Sequence, residues 1–177
     1  MLRAMNPQTT LILGVGNTVL SDEGIGVYVL RRLETLQAAG DPLLAAVELM
    51  DGGTLSFELV GPITAAARLI VIDACQLQQS PGVVQTFTDI EMDEKLRRRG
   101  GSVHEVGLSD LLDMTRLLDE LPPQRALIGI QPHSLELGEA PTPTVAAAIP
   151  AACQAVLTLL ECWRNEPAVT EDSPDDR

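Results

Sequence analysis

Three side chains that can bind a metal ion follow or close predicted structural elements in this 177-residue chain. Glu23 comes after the strand-like segment TTLILGVGN, Asp73 closes the apolar segment RLIVID, and His104 lies in the polar segment GGSVHEVGLSD. Because strand ends gather at one edge of an α/β sheet, we expect the three to converge there. Two carboxylates and one imidazole suit zinc, nickel or cadmium, and three protein ligands leave coordination positions open. This pattern favours a small metal-dependent hydrolase or metal-sensing enzyme.

Each of these residues also has a simpler explanation. An acid such as Glu23 stabilises the first turn of a helix through the helix dipole. His104 could be an exposed loop residue. Asp73 could cap the next turn, but an ionised carboxylate that ends an apolar strand costs several kcal/mol unless it is paired, hydrogen-bonded or metal-bound. For Asp73 we therefore favour a functional role.

Two further polar residues follow predicted strands. Asp51 opens the segment Asp-Gly-Gly-Thr and is either a site residue or a cap for a short helix near Thr54. His133 follows the last strand, and we interpret it as an incidental loop residue. Asp51 and Asp22 are both candidates for a general base that does not bind the metal.

The elements that would position these side chains follow from hydrophobic periodicity. We predict strands at 9–15, 46–50, 69–72, 83–87 and 125–130, and helices at 25–36, 54–60, 108–118 and 145–163. Pro150 should kink the last helix or tighten its first turns. Residues 89–105 are charged and glycine-rich, and we expect a mobile excursion there. The alternation predicts a three-layer α/β/α sandwich around a mostly parallel sheet, with room for one antiparallel strand near Val83.

Composition narrows the class of protein. The length suggests one domain, which we place at residues 1–165, followed by a disordered acidic tail at 166–177. A net charge of −13 and an aromatic content of 2% argue against nucleic acid as a partner. We expect no membrane span and no secretory signal. Three cysteines without CxxC spacing favour a reducing, cytoplasmic location over a structural zinc site.

A nucleotide-binding oxidoreductase or transferase is one alternative. Gly14 and Gly16 follow a strand as in a dinucleotide-binding loop, but Val19 stands where a third glycine is needed. Asp51 lies too far along the chain to be the ribose-binding acid. The two glycines more plausibly allow a sharp turn at the sheet edge.

Five ordered segments resemble one family. LGVGNTVLSDEGIGV, LMDGGT, LIVIDA, SVHEVGLSDLL and the pair GIQPHSLELG with TPTV are similar to segments of the hydrogenase maturation endopeptidases, which process the large subunit of nickel–iron hydrogenases. The resemblance runs from about residue 10 to about residue 163. It implies an α/β sandwich around a twisted five-stranded sheet. It also implies removal of a short C-terminal extension, after a His or Arg, from the large-subunit precursor once nickel is in place.

The resemblance also implies roles for particular residues. Glu23, Asp73 and His104 match the metal-contacting residues of the family, and Asp51 matches an acid that orients water or supports the site. Nickel would arrive with the substrate, with no organic cofactor in the enzyme, which we expect to be a monomer. His104-Glu105 replaces the His-Gln of many relatives, so the client hydrogenase stays open. No serine or cysteine has a base partner by motif, which disfavours covalent catalysis. A non-catalytic nickel chaperone remains a second alternative.

Overall fold

The computed structural model describes residues 9–97 and 103–165, and only the backbone of residues 103–106. The predicted tail at 166–177 lies outside this range, as do residues 98–102 of the predicted excursion. The division into a domain at 1–165 and a tail therefore stays a prediction.

Five strands form one sheet with the spatial order β2-β1-β3-β5-β4. Four of them run parallel and β4 is antiparallel to β5, as the sequence predicts. We call the edge at which the four parallel strands end the carboxyl edge. The strands are β1 (Thr10–Val15), β2 (Val47–Gly53), β3 (Arg68–Ala74), β4 (Val84–Thr88) and β5 (Gln124–Ile130).

Helices cover both faces of the sheet because alternate strand residues point to opposite sides. In β1, Ile12 packs into the cluster that contains α1 and α6, whereas Leu11 and Leu13 pack into the cluster of the other face. The three-layer α/β/α sandwich is confirmed. One face carries α1 (Ile25–Ala38), α5 (Pro143–Ala146) and α6 (Ile149–Asn165), and the other carries α2 (Val60–Thr64), α3 (Asp89–Arg97) and α4 (Val103–Leu117).

The prediction of a mobile excursion at 89–105 is wrong for the residues of this range that the structure describes, 89–97 and 103–105. Residues 89–97 form α3, and α4 already begins at Val103, so that the backbone of His104 is helical. Met92 and Leu96 bury one narrow stripe of α3 at a spacing of four residues. The many charges of this segment conceal so narrow a stripe in the sequence.

A buried ion pair fixes α3 against the sheet. Asp93 accepts hydrogen bonds from Nε and Nη2 of Arg125 at 3.0 and 2.7 Å, and a third from Arg116. Burial alone would raise the pKa of Asp93, but the hydrogen bonds from Arg125 and the charges of Arg125, Arg116 and Arg97 hold this pKa below its usual value. The pair ties α3 to the start of β5, away from the carboxyl edge.

The C-terminal helical run 143–165 corrects one expectation. It contains an 18-residue window with a mean hydropathy of 1.7, so it is long and apolar enough to cross a membrane by length and composition, although no such run is expected from the sequence. A core helix of a globular domain passes the same test, and Val156, Leu160 and Trp163 of α6 are buried in the core cluster. Pro150 lies in the first turn of α6, where a proline is well tolerated.

Gly16 and Gly26 let the chain after β1 lie directly on the sheet. A Cβ atom on Gly26 would stand 2.1 Å from the carbonyl oxygen of Ile72 and 2.3 Å from that of Val15. Gly16 has a φ of +135°, and its Cβ would stand 1.9 Å from the carbonyl oxygen of Glu23. The 3₁₀ turn Ser21–Gly24 and the start of α1 are thereby brought against the ends of β1 and β3.

Substituting Gly26 should therefore be severe. We expect Gly26→Ala to lower the free energy of unfolding by about 3 kcal/mol or more, because backbone atoms on two strands must move to admit the methyl group. Gly107→Ala in α4 is the matched control, since its Cβ would make ordinary contacts with Leu55, and it should be neutral or stabilise by up to about 1 kcal/mol. Urea unfolding of both variants measures the difference, and equal stabilities would contradict the close-approach argument.

Candidate active site

Glu23 and Asp73 are placed at the same edge of the sheet. Asp73 is fully buried near the end of β3, and Glu23 is 7% exposed within the 3₁₀ turn that contacts β3. The backbone N–H of Ala74 donates a hydrogen bond of 2.8 Å to Oδ1 of Asp73, which orients the carboxylate. Two buried carboxylates at one edge form an oxygen-donor set, and a divalent cation would offset the cost of burying their charge. The pair therefore suits the binding of a cation.

The third predicted ligand, His104, is placed only by its backbone. α4 ends shortly before β5 begins, so its first turn points towards the carboxyl edge, as in other crossover helices. Gly107 faces Leu55 in the loop that follows β2. Among the side chains that the structure describes, no group of three or more His, Cys, Asp or Glu is arranged for a metal ion. The His104 side chain lies outside that set, so its grouping with Glu23 and Asp73 stays a prediction.

Asp51 lies exposed at the end of the edge strand β2. Its Oδ1 accepts a hydrogen bond of 2.8 Å from the backbone N–H of Gly53, and it does not cap a helix as the alternative interpretation suggests. The carbonyl oxygen of Gly53 in turn accepts a 2.8 Å hydrogen bond from the N–H of Gly16. The loops after β1 and β2 are thus joined, and Asp51 presents a solvent-accessible carboxylate at the carboxyl edge.

Asp22 is fully buried and holds a long loop in place. Its Oδ2 accepts hydrogen bonds from the backbone N–H groups of His133 and Ser134, both at 2.9 Å, and from the hydroxyl of Thr142 at 3.0 Å. Its Oδ1 accepts a 2.6 Å hydrogen bond from the N–H of Thr142. Asp22 therefore fastens both ends of the loop at residues 131–142, which covers the 3₁₀ turn.

These bonds set the charge state of Asp22. Burial alone would raise its pKa, but the backbone N–H groups of Ser134, Thr142 and His133, with the Thr142 hydroxyl, outweigh burial and lower the pKa. A fully buried carboxylate whose hydrogen bonds favour the ionised form is a poor general base. The candidate role of Asp22 as a base gives way to a structural one.

Gln131 holds the loop after β3 in place through hydrogen bonds, as Asp22 holds the loop after β5. Its Oε1 accepts a 2.7 Å hydrogen bond from the N–H of Leu77, and its Nε2 donates to Oε1 of Gln76 at 3.1 Å. Gln131 is 6% exposed, so these contacts are largely shielded from water. Both loops that follow the central strands are therefore fixed by buried polar groups. From the sequence, Asp22 is proposed only as a candidate base, and Gln131 is not singled out.

The fold and its edge define an α/β protein with a carboxylate-lined site at the ends of its parallel strands. Comparison with known proteins gives the family. The chain belongs to the hydrogenase maturation protease family, whose model matches residues 27–159.

Individual relatives agree with this assignment. The chain is 38% identical over 151 residues to the hydrogenase 2 maturation protease of Escherichia coli, covering 85% of this chain and 89% of the relative. It is 34% identical over 164 residues to the hydrogenase expression/formation protein HupD of Rhodobacter capsulatus, covering 92% and 76%. The solved structure of the hydrogenase maturating endopeptidase HybD from E. coli superposes with a TM-score of 0.78 at 35% identity, covering 88% of this chain and 94% of that one.

The comparisons confirm the resemblance that the sequence segments carry. The protein is a peptide hydrolase, a processing endopeptidase of hydrogenase maturation. They do not support the nucleotide-binding alternative.

The anchoring role of Asp22 can be tested by Asp22→Asn. Whichever way the amide is turned, its NH₂ group faces N–H donors, so the free energy of unfolding at pH 7 should fall by about 2–3 kcal/mol. Because folding lowers the pKa of Asp22, its contribution is present above the unfolded pKa of about 3.9 and is lost as the pH falls through the lower folded value. Urea unfolding from neutral pH to about pH 2.5 should show the difference between variant and wild type shrinking over that range.

Asp110→Asn is the matched control for this experiment. Asp110 is an exposed acid of α4, so the substitution removes the same charge without breaking the anchor. Its stability should stay within about 0.5 kcal/mol of the wild type. If Asp22→Asn were as stable as Asp110→Asn at pH 7, the anchoring role would be refuted.

Proposed function

We propose that this endopeptidase removes the C-terminal extension of a nickel–iron hydrogenase large-subunit precursor after that precursor has received its nickel. The buried pair Glu23 and Asp73, at one sheet edge of a chain from this family, is the observation that carries the proposal. On this proposal nickel belongs to the substrate, the enzyme has no organic cofactor, and it works as a cytoplasmic monomer.

Nickel acts here as the recognition signal. A divalent cation bound at the carboxyl edge would stabilise the two carboxylates that are buried there. A precursor that carries nickel supplies this cation, whereas an empty precursor does not. His104, from the first turn of α4, is the proposed third contact. Two carboxylates and one imidazole form a modest ligand set for nickel, which fits a metal that is recognised and then left with the substrate.

Water is the proposed nucleophile. The bound nickel supplies electrophilic polarisation of the scissile carbonyl or a lower pKa for the attacking water. Asp51 is the proposed general base, because its exposed carboxylate lies at the same edge and is oriented by the N–H of Gly53. Buried Asp22 stays ionised and keeps the neighbouring loop in place.

The cysteines support hydrolysis by water over a covalent route. Cys75 and Cys153 are buried, and burial raises the pKa of the Cys153 thiol. A thiol with a raised pKa is a weak nucleophile at neutral pH. Cys162 is exposed in the last turns of α6, which ends on the side where β3 begins, and the carbonyl of Trp163 next to it accepts a hydrogen bond from Arg68.

The nickel requirement is tested with nickel-loaded and nickel-free precursor of a cognate hydrogenase. We expect intact-mass measurement to show loss of a C-terminal peptide from the loaded form alone. Glu23→Gln and Asp73→Asn keep the side-chain volume but remove a charge, and each should slow the cleavage at least about a hundredfold. Glu34→Gln, an exposed acid on α1, is the control and should cleave at the wild-type rate.

Two results would overturn this proposal. An unchanged mass for loaded cognate precursor, with nickel transferred between the proteins, would favour the nickel chaperone. Tight stoichiometric nickel in the isolated enzyme would contradict the view that the substrate supplies the metal.

The role of Asp51 makes a separate prediction. Asp51→Asn keeps an oxygen for the Gly53 hydrogen bond but cannot accept a proton, so kcat should fall by about 10²–10⁴-fold while KM changes little. Steady-state cleavage of loaded precursor measures both constants, and the melting temperature should match that of the wild type. An unaltered kcat would show that Asp51 is not the base.

A further inference from the structure

Three exposed apolar side chains lie in two loops beside the site. Val19 is 58% exposed, Leu135 44% and Leu137 83%. We call these three residues the apolar ridge. Val19 belongs to the loop after β1, and the two leucines belong to the loop after β5, so both loops leave the carboxyl edge. Gly138 joins the two loops, because it pairs with Leu20 in a parallel bridge.

The backbone that carries the apolar ridge is held firmly. The N–H of Gly138 donates to the carbonyl of Val19 at 3.1 Å, and the N–H of Ser21 donates to the carbonyl of Gly138 at 3.2 Å. Asp22 fastens the same loop through His133, Ser134 and Thr142. Leu137, which is 83% exposed, contributes little buried apolar area to the stability of the fold. An exposed apolar side chain on a firmly held backbone is typical of a surface that a partner covers.

The charged residues around the apolar ridge indicate the charge of the partner segment that would bind there. We define the edge loops as residues 16–24, 51–59, 75–83 and 131–142. They contain six acids and neither lysine nor arginine, and Lys95 of α3 donates a hydrogen bond to the carbonyl of Gln76 in the third of them. Asp51, Glu58, Glu136 and Glu139 among these acids are exposed, and Glu136 lies between the two leucines of the ridge. This rim is complementary to a segment that combines apolar and cationic side chains.

We propose that the apolar ridge is a docking surface for the hydrogenase large-subunit precursor, and that it binds an apolar segment with a lysine or arginine facing Glu136. This inference rests on the proposed function and adds a contact outside the metal and the scissile bond. Val19 lies four residues before Glu23 in the chain, and the loop that carries the two leucines is bonded to Val19 and Asp22. A segment docked on the ridge is therefore held close to the turn that contains Glu23. Such a contact binds substrate and transition state alike, and therefore acts on KM and leaves kcat unchanged.

The test compares two pairs of exposed leucines. Leu135→Ser/Leu137→Ser removes the apolar ridge at the carboxyl edge. Leu117→Ser/Leu118→Ser is the control, because these side chains are 85% and 56% exposed at the end of α4, on the side where β5 begins. We expect the ridge variant to raise KM for loaded precursor, and to weaken precursor binding measured by interferometry, at least roughly tenfold each, from the lost burial of two leucines. Its kcat and melting temperature should stay at wild-type values, as should all properties of the control.

Charge reversal tests the cationic part of the partner. Glu136→Lys should weaken precursor binding more strongly at low than at high salt, since an exposed ion pair is screened by salt. Leu135→Met/Leu137→Met keeps an apolar surface and should restore KM to near the wild-type value.

The outcomes separate this inference from the proposed function. If wild-type enzyme leaves loaded precursor uncleaved but binds it, and the ridge variant does not bind, the protease proposal fails and the docking surface stands. If wild-type enzyme cleaves the precursor and the ridge variant has wild-type KM and binding, the docking surface is refuted. A wild-type dimer that the ridge substitutions convert to monomers would identify a second copy as the occupant, and would also refute it.

Discussion

The position of every group at the carboxyl edge depends on how closely the backbone after β1 approaches the sheet. Hydrogen atoms at Gly16 and Gly26 face carbonyl oxygens of Glu23, Ile72 and Val15 at distances that no Cβ atom could occupy. This contact seats the 3₁₀ turn against β3 and makes α1 begin at the sheet edge. Glu23 owes its place beside β3 to the absence of two side chains.

The adjacent acids Asp22 and Glu23 have different surroundings in this turn. The carboxylate of Asp22 accepts hydrogen bonds from the backbone N–H groups of His133, Ser134 and Thr142, which stabilise its ionised form. Glu23 is buried in the same turn, which contacts β3. Since Asp22 fixes the turn and the loop above it together, the site is ordered before substrate binds, and less binding free energy is needed to order it. Gln131 extends the same arrangement to the loop after β3.

Strands and helices are predicted best from the sequence where the local apolar pattern agrees with burial in the fold. β1, β3 and β5 are continuous apolar runs that any central parallel strand requires, and their predicted bounds lie within two residues of the observed ones. α3 is not predicted from the sequence, because Met92 and Leu96 are its only buried apolar residues. The ion pair that also holds this helix joins Asp93 to Arg125, and these two residues lie 32 residues apart in the chain.

The limits of prediction at the site have the same cause. Asp22 and its partners are separated by 111 to 120 residues, so no local motif distinguishes a structural Asp22 from a site-forming Glu23. Strand-end position alone is enough to predict that Asp73 and Asp51 lie at the carboxyl edge, because the carboxyl ends of parallel strands meet at one edge of the sheet.

Several arginines of this protein form structural hydrogen bonds and ion pairs away from the carboxyl edge. Arg68 donates hydrogen bonds to Gln124 and to the carbonyl of Trp163 near the C-terminus of α6. A cation at this end of a helix interacts favourably with the helix dipole. Arg125 and Arg116 bind Asp93 at the start of β5. These arginines lie on the side of the molecule where the strands begin, whereas the edge loops contain six acids and neither lysine nor arginine. The cation that the structure places against these loops is Lys95, which donates a hydrogen bond to the carbonyl of Gln76. The exposed acids of the edge loops attract cationic groups, and this attraction is weakest in high salt. The use of arginine on the opposite side thus leaves the exposed acids beside the apolar ridge available to a cationic segment of a partner.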